Sequence, residues 1–339
     1  MEDNELKKKS KTKKRLIISF LSLIVIILLL AGSAVYYYFN TYSKINYTPI
    51  VENKEELEIT VETEEKINIF KDSKNIINVL LLGTDQREAD TASRSDSIMI
   101  ASIDPANGNI KLASLMRDTR VDIQGHGKDK LGHAFAYGGP ALALKTVNKN
   151  FEMNLTYYAT IDYIGLLNII DSVGGVMIDV KDYELEWANI CITDIAKLNG
   201  TENTPVTKAG MQLLNGQQAV GYSRIRKAGD GDYERTERQR TVLSAALNKV
   251  TKMNVTQVPN LINTFAPFVE TNITSTYMLK IGVSVLDSGI SDIIQSRFPT
   301  DQSSGGKIIN ERWYLVYDKE DTISELHNFI FGNTLPESK

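Results

Sequence analysis

The chain has 339 residues, with 38 lysines and arginines against 42 aspartates and glutamates, and its formal net charge is −4 at pH 7. This acidic balance argues against general nucleic-acid binding, which needs clustered positive charge. The single cysteine, Cys191, excludes an internal disulfide and so the small disulfide-stapled class of secreted domain. The length suits one domain of ordinary size with a small appended region.

The amino-terminal segment predicts a membrane anchor. No charged residue occurs from Leu16 to Phe39, which is enough length to cross a bilayer as one helix. A block of basic residues precedes it and should stay cytoplasmic: Lys7, Lys8, Lys9, Lys11, Lys13, Lys14 and Arg15. We predict a cytoplasmic tail over residues 1–15 and a single-pass transmembrane helix over residues 16–39 in the cell membrane, with the carboxy-terminal domain extracellular. A cleaved signal peptide is the alternative, but the apolar run is long for a signal core of about 7 to 15 residues.

Beyond the anchor, a polar segment leads into three apolar runs. Residues 40–74 are rich in glutamate and predict an extracellular stalk. Ile76–Leu82 is continuous and apolar, which is typical of a strand buried on both faces. Ile98–Ile103 and Ile110–Leu115 are two more runs of this kind, separated by a good turn sequence, so they predict neighbouring strands.

The middle of the chain alternates predicted helices and strands. These are a helix at Pro140–Phe151, a strand at Tyr157–Thr160, a helix at Tyr163–Val173, a strand at Val176–Val180, and helices at Gln212–Tyr222 and Tyr233–Val250. Residues 181–205 are predicted to be irregular. The alternation indicates an α/β fold, and the hairpin-length turn between early strands indicates a mixed sheet. We predict a mixed central sheet flanked by helices in three α-β-α layers.

Nine of the twelve arginines fall in three short segments, each of which also carries aspartates. They are Arg87, Arg94, Arg117, Arg120, Arg224, Arg226, Arg235, Arg238 and Arg240. Because a guanidinium is a planar fork of donors that matches phosphate oxygens two at a time, clustered arginine indicates an oxyanion site. Carboxylates beside it are the hard oxygen ligands that Mg²⁺ shares with phosphates. The residues therefore predict a metal-assisted phosphate site.

Asp85 and Asp96 are the candidate magnesium ligands. Asp85 lies just past the carboxyl end of an apolar strand, where α/β sheets commonly place ligands. A loop that doubles back into the next strand would bring Asp96 to the same ion. The alternative, which spacing alone favours, is that both aspartates only pair with Arg87 and Arg94.

The other arginines are placed to reach the same crevice. Arg117 ends the third predicted strand, and Arg224 and Arg226 alternate along an extended run. A spacing of three and four puts Arg235, Arg238 and Gln239 on one helical face. Together these side chains could grip two phosphates, since a pyrophosphate has several charged oxygens to satisfy.

Asp232 has two interpretations of similar weight. It is either the N-cap of a helix that starts at Tyr233, or a general base that faces the arginines and accepts a proton from an incoming hydroxyl. Arg240, on the opposite side of that helix from Arg238, is expected at the surface or in a salt bridge. His126 and His133 lack a third histidine or cysteines nearby and do not predict zinc.

Taken in order, these motifs resemble the LytR-CpsA-Psr family. The resemblance rests on Asn78–Arg87, Arg94–Asp96, Ser114–Thr119, Phe135–Gly139, Arg224–Arg226, and Asp232–Arg235 through to Arg238-Gln239. The matching motifs span residues 76–247. A basic tail followed by one apolar helix, which the family also has, precedes them in the chain. Several ordered motifs are far more specific than any one of them, so the resemblance favours the metal interpretation of Asp85 and Asp96.

The resemblance implies a membrane-anchored, Mg²⁺-dependent phosphotransferase of Gram-positive envelopes. Such an enzyme moves a glycopolymer, of teichoic acid or capsule type, from a polyprenyl pyrophosphate carrier to peptidoglycan. Residues 75–250 would form the catalytic domain, and residues 251–339 a helical and strand extension packed on it. Alternatives are a polyprenyl-pyrophosphate hydrolase, or a non-enzymatic carrier-binding or regulatory protein.

The resemblance assigns roles to individual residues, according to their positions in the matching motifs. Asp85 and Asp96 resemble the magnesium-associated aspartates, and Asp232 resembles the proposed base. The residues that resemble those around the pyrophosphate are Arg87, Arg117, Arg224, Arg226, Arg235 and Gln239, with Arg238 beside them. Among these we expect Arg117 and Arg224 to be catalytic together with Asp232. The apolar helix at Tyr163–Val173 is the candidate wall of a lipid groove.

Overall fold

The computed structural model describes residues 46–50, 53–85, 93–290 and 292–332. The predicted tail, over residues 1–15, and the predicted anchor, over residues 16–39, lie outside the described residues, and so does Arg87. No helix within the described ranges is long and apolar enough to cross a membrane.

The described secondary structure alternates strands and helices. The strands are β1 (Asn46–Tyr47), β2 (Ile77–Thr84), β3 (Ser95–Asp104), β4 (Asn109–Leu115), β5 (Arg120–Ile123), β6 (Gly127–Lys130), β7 (Tyr157–Asp162), β8 (Val176–Val180), β9 (Gly210–Leu214), β10 (Val269–Thr271), β11 (Asp292–Phe298), β12 (Ser304–Ile309) and β13 (Arg312–Tyr317). The helices are α1 (Val61–Asn68), α2 (His133–Phe151), α3 (Tyr163–Ser172), α4 (Leu185–Asn199), α5 (Gly216–Ser223), α6 (Asp232–Val250), α7 (Val258–Phe265), α8 (Ser275–Asp287) and α9 (Lys319–Phe331).

A mixed sheet in the order β1-β10-β7-β2-β3-β4-β11 forms the centre of the fold. β2 pairs antiparallel with β3 and parallel with β7, and β4 pairs antiparallel with β3 and parallel with β11. The hairpin-length turn between β3 and β4 requires that pair to be antiparallel, so the sheet cannot be all parallel. The predicted mixed sheet flanked by helices is confirmed.

Strand β2 shows why helices are needed on both faces. Leu80 and Leu82 are fully buried in a core that α2 and α9 complete, whereas Leu81 packs on the opposite side with Leu243 and Leu247 of α6. Successive strand residues point to opposite faces, so a continuously apolar strand must be covered twice.

The structure differs from the predicted stalk over residues 40–74 wherever it describes that segment. Leu57, Ile59 and Ile67 are buried in the core beside α2, and the Asn148 amide donates to the Leu57 carbonyl at 2.9 Å. The glutamates of the segment remain at the surface around these few apolar anchors. The folded unit accordingly includes this segment, from the pairing of β1 with β10 onward.

Two further segments differ from their predictions. Residues 181–205, predicted to be irregular, contain α4, whose Ala188, Ile192 and Ile195 are buried against α5 and α6. The predicted extension over residues 251–339 contributes β10 and β11 to the central sheet. These strands lie beside β7 and β4, so residue 250 marks no structural boundary.

Candidate functional site

Three neighbouring strands bring polar side chains to one edge of the sheet. Thr84, at the end of β2, is in register with Ser95 at the start of β3 and with Asp162 at the end of β7. Asp85 and Tyr163 follow Thr84 and Asp162 on two parallel strands, and Asp96 is the unpaired residue of a bulge opposite Gly83 and Thr84, so all three lie at the same edge of the sheet. The predicted meeting of Asp85 and Asp96 at one strand edge is therefore consistent with the register.

Arg117 lies at the centre of the charged cluster, two residues past the end of β4. Its guanidinium donates to Asp96 and to the Asp232 carboxylate at 3.3 Å, and its Nε lies 3.5 Å from Asp118. Burial alone would lower the pKa of Arg117, but the carboxylates of Asp96, Asp232 and Asp118 outweigh that effect and raise it. Arg117 thus links the β3 and α6 parts of the site.

Asp232 faces the arginines, and the N-cap interpretation is wrong. Helix α6 begins at Asp232 itself, the preceding N-cap residue is Gly231, and no side chain caps the helix. Gly231 has a positive φ of 58°, a conformation that glycine adopts readily and that turns the chain sharply into the helix. The Asp232 carboxylate then lies 2.9 Å from Arg226 Nε and 3.1 Å from Arg235 Nη2, besides its contact with Arg117.

Arg235 is the most deeply buried cation of this cluster. Burial, and then repulsion by Arg117, lower its pKa. Its Nε is buried and finds no hydrogen-bond partner among the described residues. A buried donor without a partner costs about 1–3 kcal/mol. An anion bound in the cluster would satisfy it, which is the property expected of a phosphate-binding arginine.

Tyr163 belongs to the charged site, whereas its sequence position predicted it only as part of the wall of a lipid groove. Arg224 stacks over its ring, with the guanidinium carbon 4.7 Å from the ring centroid. Burial is the main cause that raises the pKa of Tyr163 to about 12, and the negative charge of Asp96 adds to it. The Tyr163 hydroxyl therefore remains a neutral hydrogen-bond donor at physiological pH. Its position directly after a strand was the signal that could have identified it.

An apolar cavity of about 250 Å³ opens at this cluster. Asp96, Tyr163 and Gln239 line its polar end. The rest of the lining is apolar and comes from β2, β3, β7, β10 and the helices α3, α6 and α7, with Leu81, Met99, Ile169, Leu243, Leu247 and Phe265 among the residues. Helix α3, the predicted groove wall, contributes Leu166 and Ile169 from its apolar face, and Val173 follows directly after it.

Arg238 is engaged elsewhere. Its side chain is 3% exposed, and its Nε donates to Glu184 at 2.6 Å. Its other nitrogens donate to Glu234 at 2.5 Å and to the carbonyls of Ile225 and Ala228 at 3.2 and 3.4 Å. These bonds hold the loop that carries Arg224 and Arg226, so we leave Arg238 out of the phosphate-binding set.

Arg240 differs from its expected place at the surface or in a salt bridge. It is buried, and burial lowers its pKa to about 10. Its Nε and Nη1 have no hydrogen-bond partner among the described residues.

The carboxylates at this site suit Mg²⁺ better than a structural metal ion, which needs three or more protein ligands. The described residues contain no group of three or more His, Cys, Asp or Glu side chains that could hold a metal ion. Asp85 and Asp96 are two carboxylates at the edge of an arginine cluster, and Mg²⁺ is commonly held by one or two carboxylates while it keeps waters and phosphate oxygens. Of the two histidines considered for zinc, His126 stacks on Tyr137 and His133 pairs with Asp129.

Comparison with known proteins decides the family. The model of the LytR_cpsA_psr family matches residues 33–328. The chain belongs to the LytR-CpsA-Psr family. The sequence resemblance is thereby confirmed, and the matched range takes in the whole central sheet.

Characterised relatives and a solved structure agree with this assignment. "Regulatory protein MsrR" of Staphylococcus aureus is 33% identical over 230 residues, which cover 67% of this chain and 65% of that protein, so the match spans just under two thirds of its length. "Polyisoprenyl-teichoic acid--peptidoglycan teichoic acid transferase TagU" of Enterococcus faecalis is 33% identical over 229 residues, 66% of this chain and 70% of that protein. The structure "TagT bound to LIIa-WTA" superposes with a TM-score of 0.61 and 25% identity, covering 76% of this chain and 92% of that one.

Proposed function

We propose that this protein transfers a phosphate-linked anionic glycopolymer, of the teichoic acid or capsule type, from a polyprenyl pyrophosphate carrier to peptidoglycan. One observation carries the proposal: an apolar cavity of about 250 Å³ ends in a cluster of arginines and carboxylates. A polyprenyl pyrophosphate has this same division between a long apolar chain and a compact polyanion. The name of the relative TagU supports a transferase of this kind.

In the proposed complex, the lipid lies between α3 and α6 and the pyrophosphate lies among Arg117, Arg224, Arg226 and Arg235. The buried, unpartnered Nε of Arg235 would gain a phosphate oxygen. Two phosphates carry more acceptor oxygens than one arginine can satisfy, so several guanidiniums share the group. Arg87, which follows the end of β2 in the chain, joins this set by its resemblance to the family motif.

The reaction we propose is an in-line phosphoryl transfer. A hydroxyl oxygen of a peptidoglycan sugar forms a bond to the phosphorus next to the first sugar of the polymer, and the bond from that phosphorus to the polyprenyl phosphate oxygen breaks. The products are a phosphodiester and polyprenyl phosphate. Charge on the transferred phosphoryl oxygens and on the leaving phosphate is greatest in the transition state, where fixed guanidiniums stabilise it most.

Asp232 is the proposed base for this step. In the described structure its carboxylate is held by Arg117, Arg226 and Arg235. Phosphate oxygens compete for the same guanidiniums, so binding of the donor would release the carboxylate to accept the hydroxyl proton. Asp96 would be released from Arg117 in the same exchange.

Magnesium would be held by Asp85 and Asp96, and when bound it would neutralise phosphoryl oxygens. Two carboxylates leave coordination sites for water and for the substrate, as a magnesium site shared with phosphates requires. Removal of Mg²⁺ by EDTA is expected to abolish transfer and leave the fold intact.

The test is a transfer assay with a fragment that begins at Ile45, because a later start would remove buried residues of the amino-terminal segment. The fragment is incubated with Mg²⁺, a synthetic polyprenyl pyrophosphate glycan and peptidoglycan oligomers, and the phosphodiester adduct is measured by mass spectrometry. Arg117→Ala and Arg224→Ala are expected to lower the rate by about 10²-fold or more. Lys227→Ala is the matched control, since Lys227 is an exposed cation of the same loop whose Nζ lies 5.4 Å from the Trp187 ring centroid.

Each other outcome identifies a different function. Free glycan phosphate without adduct would identify a hydrolase that uses water as the acceptor. A donor that binds tightly but remains unchanged would identify a carrier-binding protein. Equal losses in Arg117→Ala and Lys227→Ala would contradict the assignment of the arginine cluster.

A further inference from the structure

A second group of side chains, outside the cluster described above, forms an aromatic patch. We use this name for His126, Asp129, Lys130, Tyr137 and Trp313. Tyr137 and Trp313 are 44% and 42% exposed, so their rings are open to a ligand. The transfer step proposed above uses none of these five residues.

The rings of this patch are held in fixed positions. The His126 ring stacks on the Tyr137 ring at 4.1 Å and 4°. The Tyr137 hydroxyl donates to Asp129 at 2.7 Å, and the ammonium of Lys130 lies 5.9 Å from the Trp313 ring centroid.

Trp313 lies flat against its own hairpin. A side chain at Gly306 would approach the Trp313 indole nitrogen to 2.8 Å, so only glycine lets the ring rest there. Gly306 on β12 lies two residues before Ile308, the direct partner of Trp313, and so on the same face of the hairpin. Glycine and tryptophan placed diagonally in this way leave an indole with one face on the backbone. The indole therefore rests beside the Gly306 backbone and remains 42% exposed.

The patch is joined directly to the arginine cluster. Lys130 donates to Asp118 at 2.6 Å, and Asp118 lies 3.5 Å from Arg117 Nε. The hairpin that carries Trp313 is anchored at the same place, because the Leu315 amide donates to the Asp118 carbonyl at 3.0 Å.

The patch and the lipid cavity lie on opposite faces of the sheet. Strand β5, Leu131 directly after β6, and the start of α2 pack into the core with Leu80 and Leu82, whereas Leu81 and Leu243 line the cavity on the other face. In an in-line transfer the attacking and leaving oxygens lie on opposite sides of the phosphorus. With the leaving polyprenyl phosphate on the cavity side, an acceptor that approaches from the side of the patch satisfies this geometry, and the patch reaches the cluster through Lys130 and Asp118.

We propose that the aromatic patch binds sugar rings of the peptidoglycan acceptor. This inference rests on the proposed transferase function and names the acceptor subsite of that reaction. A pyranose ring offers an apolar C–H face that stacks on an aromatic ring, and hydroxyls at its rim that hydrogen-bond to a carboxylate or an ammonium. Tyr137 and Trp313 supply the faces, the half-buried Lys130 supplies a donor at the rim, and Asp129 positions Tyr137 by accepting a hydrogen bond from its hydroxyl.

Fluorescence of the full chain in detergent micelles tests the subsite without a donor or turnover. The chain has two tryptophans, so Trp187→Phe leaves Trp313 as the sole reporter. Soluble uncrosslinked peptidoglycan strands are expected to shift the Trp313 emission and protect it from iodide quenching. Tyr137→Ala in that background is expected to weaken binding by about tenfold, the loss that removal of one aromatic anchor commonly gives. Tyr47→Ala, which removes a 47% exposed tyrosine at β1, is the matched control and is expected to bind normally.

The outcomes separate this inference from the proposed function. Protection of Trp313 that survives Arg117→Ala would support the subsite, even if no transfer is ever detected. Transfer with Trp313 unprotected at saturating strands would overturn the subsite alone. Protection by soluble teichoic acid but not by peptidoglycan would also overturn it, as would normal binding by Tyr137→Ala.

Discussion

The buried pair of Arg238 and Glu184 gives a sharp test, because the sequence alone assigned Arg238 to phosphate binding. The two side chains are 3% and 4% exposed, with Nε and Oε1 2.6 Å apart. Removal of one partner of a buried pair leaves the other charge uncompensated, at a cost of about 3–5 kcal/mol. Loss of the bonds to the carbonyls of Ile225 and Ala228 adds about 1 kcal/mol. We expect Arg238→Met to lower the free energy of unfolding by about 4–6 kcal/mol, a large share of the roughly 5–15 kcal/mol available to a domain.

Urea unfolding of the fragment that begins at Ile45, followed by far-UV circular dichroism, measures this loss. Arg226→Met is the matched control, because the same substitution removes a 58% exposed side chain whose ion pair with Asp232 is worth at most about 1 kcal/mol. In a double-mutant cycle, adding Glu184→Gln to Arg238→Met removes the stranded charge. We therefore expect the double variant to lose about 2 kcal/mol less than the sum of the single losses.

Two results would refute this reasoning. Arg238→Met that is as stable as Arg226→Met would show that the pair is not structural. If that stable variant also failed to bind the polyprenyl donor, Arg238 would return to the phosphate-binding set. Strict additivity in the cycle would show that Arg238 and Glu184 do not interact.

Two further predictions concern the amino-terminal segment and the aromatic patch. Leu57→Ala is expected to lower the free energy of unfolding in urea by about 2–5 kcal/mol. Val61→Ala, at a largely exposed position, should lower it by less than about 0.5 kcal/mol. Equal losses in the two variants would contradict the packing of this segment in the core. Burial opposes ionisation of Asp129, but hydrogen bonds from His133 and Tyr137 lower its pKa from 3.8 to about 2. Its ionised form therefore stabilises the fold above pH 3.8, and this stabilisation is lost as the pH falls towards 2. As the pH falls across this range, the free energy of unfolding of Asp129→Asn should decrease less than that of the parent protein. Parallel curves of unfolding free energy against pH would contradict the lowered pKa of Asp129.

Local pattern was enough to predict the centre of the fold. Ile76–Leu82 is apolar at every position but Asn78, and a strand of that kind is stable only when both faces are covered, so the layered sheet followed from the residues. The hairpin-length turn after Ile103 was likewise a local signal, and it predicted that β3 and β4 pair antiparallel. Arg117 and Asp96 could also be placed at one strand edge from their positions beside predicted strands.

The amino-terminal segment shows where local pattern failed. Leu57, Ile59 and Ile67 are sparse apolar residues among glutamates, and no period marks them as a core face. They are buried because α2 lies over them, with Asn148 bonded to Leu57 across 91 residues of chain. Burial that depends on contacts this distant cannot be read from neighbours in sequence.

The sequence by itself determined which chemical groups this protein brings to its site, since arginine clusters, aspartates and a strand-end loop are properties of short segments. Tertiary structure alone decided how those groups are used. Arg235 and Arg238 share a helical face, yet one contacts Asp232 and the other Glu184, because the fold brings the turn just before α4, 54 residues away in the chain, beside Arg238. The cavity beside Asp96 is likewise a gap between α3, α6 and the sheet, and a gap is defined by the packing of distant segments rather than by any one of them.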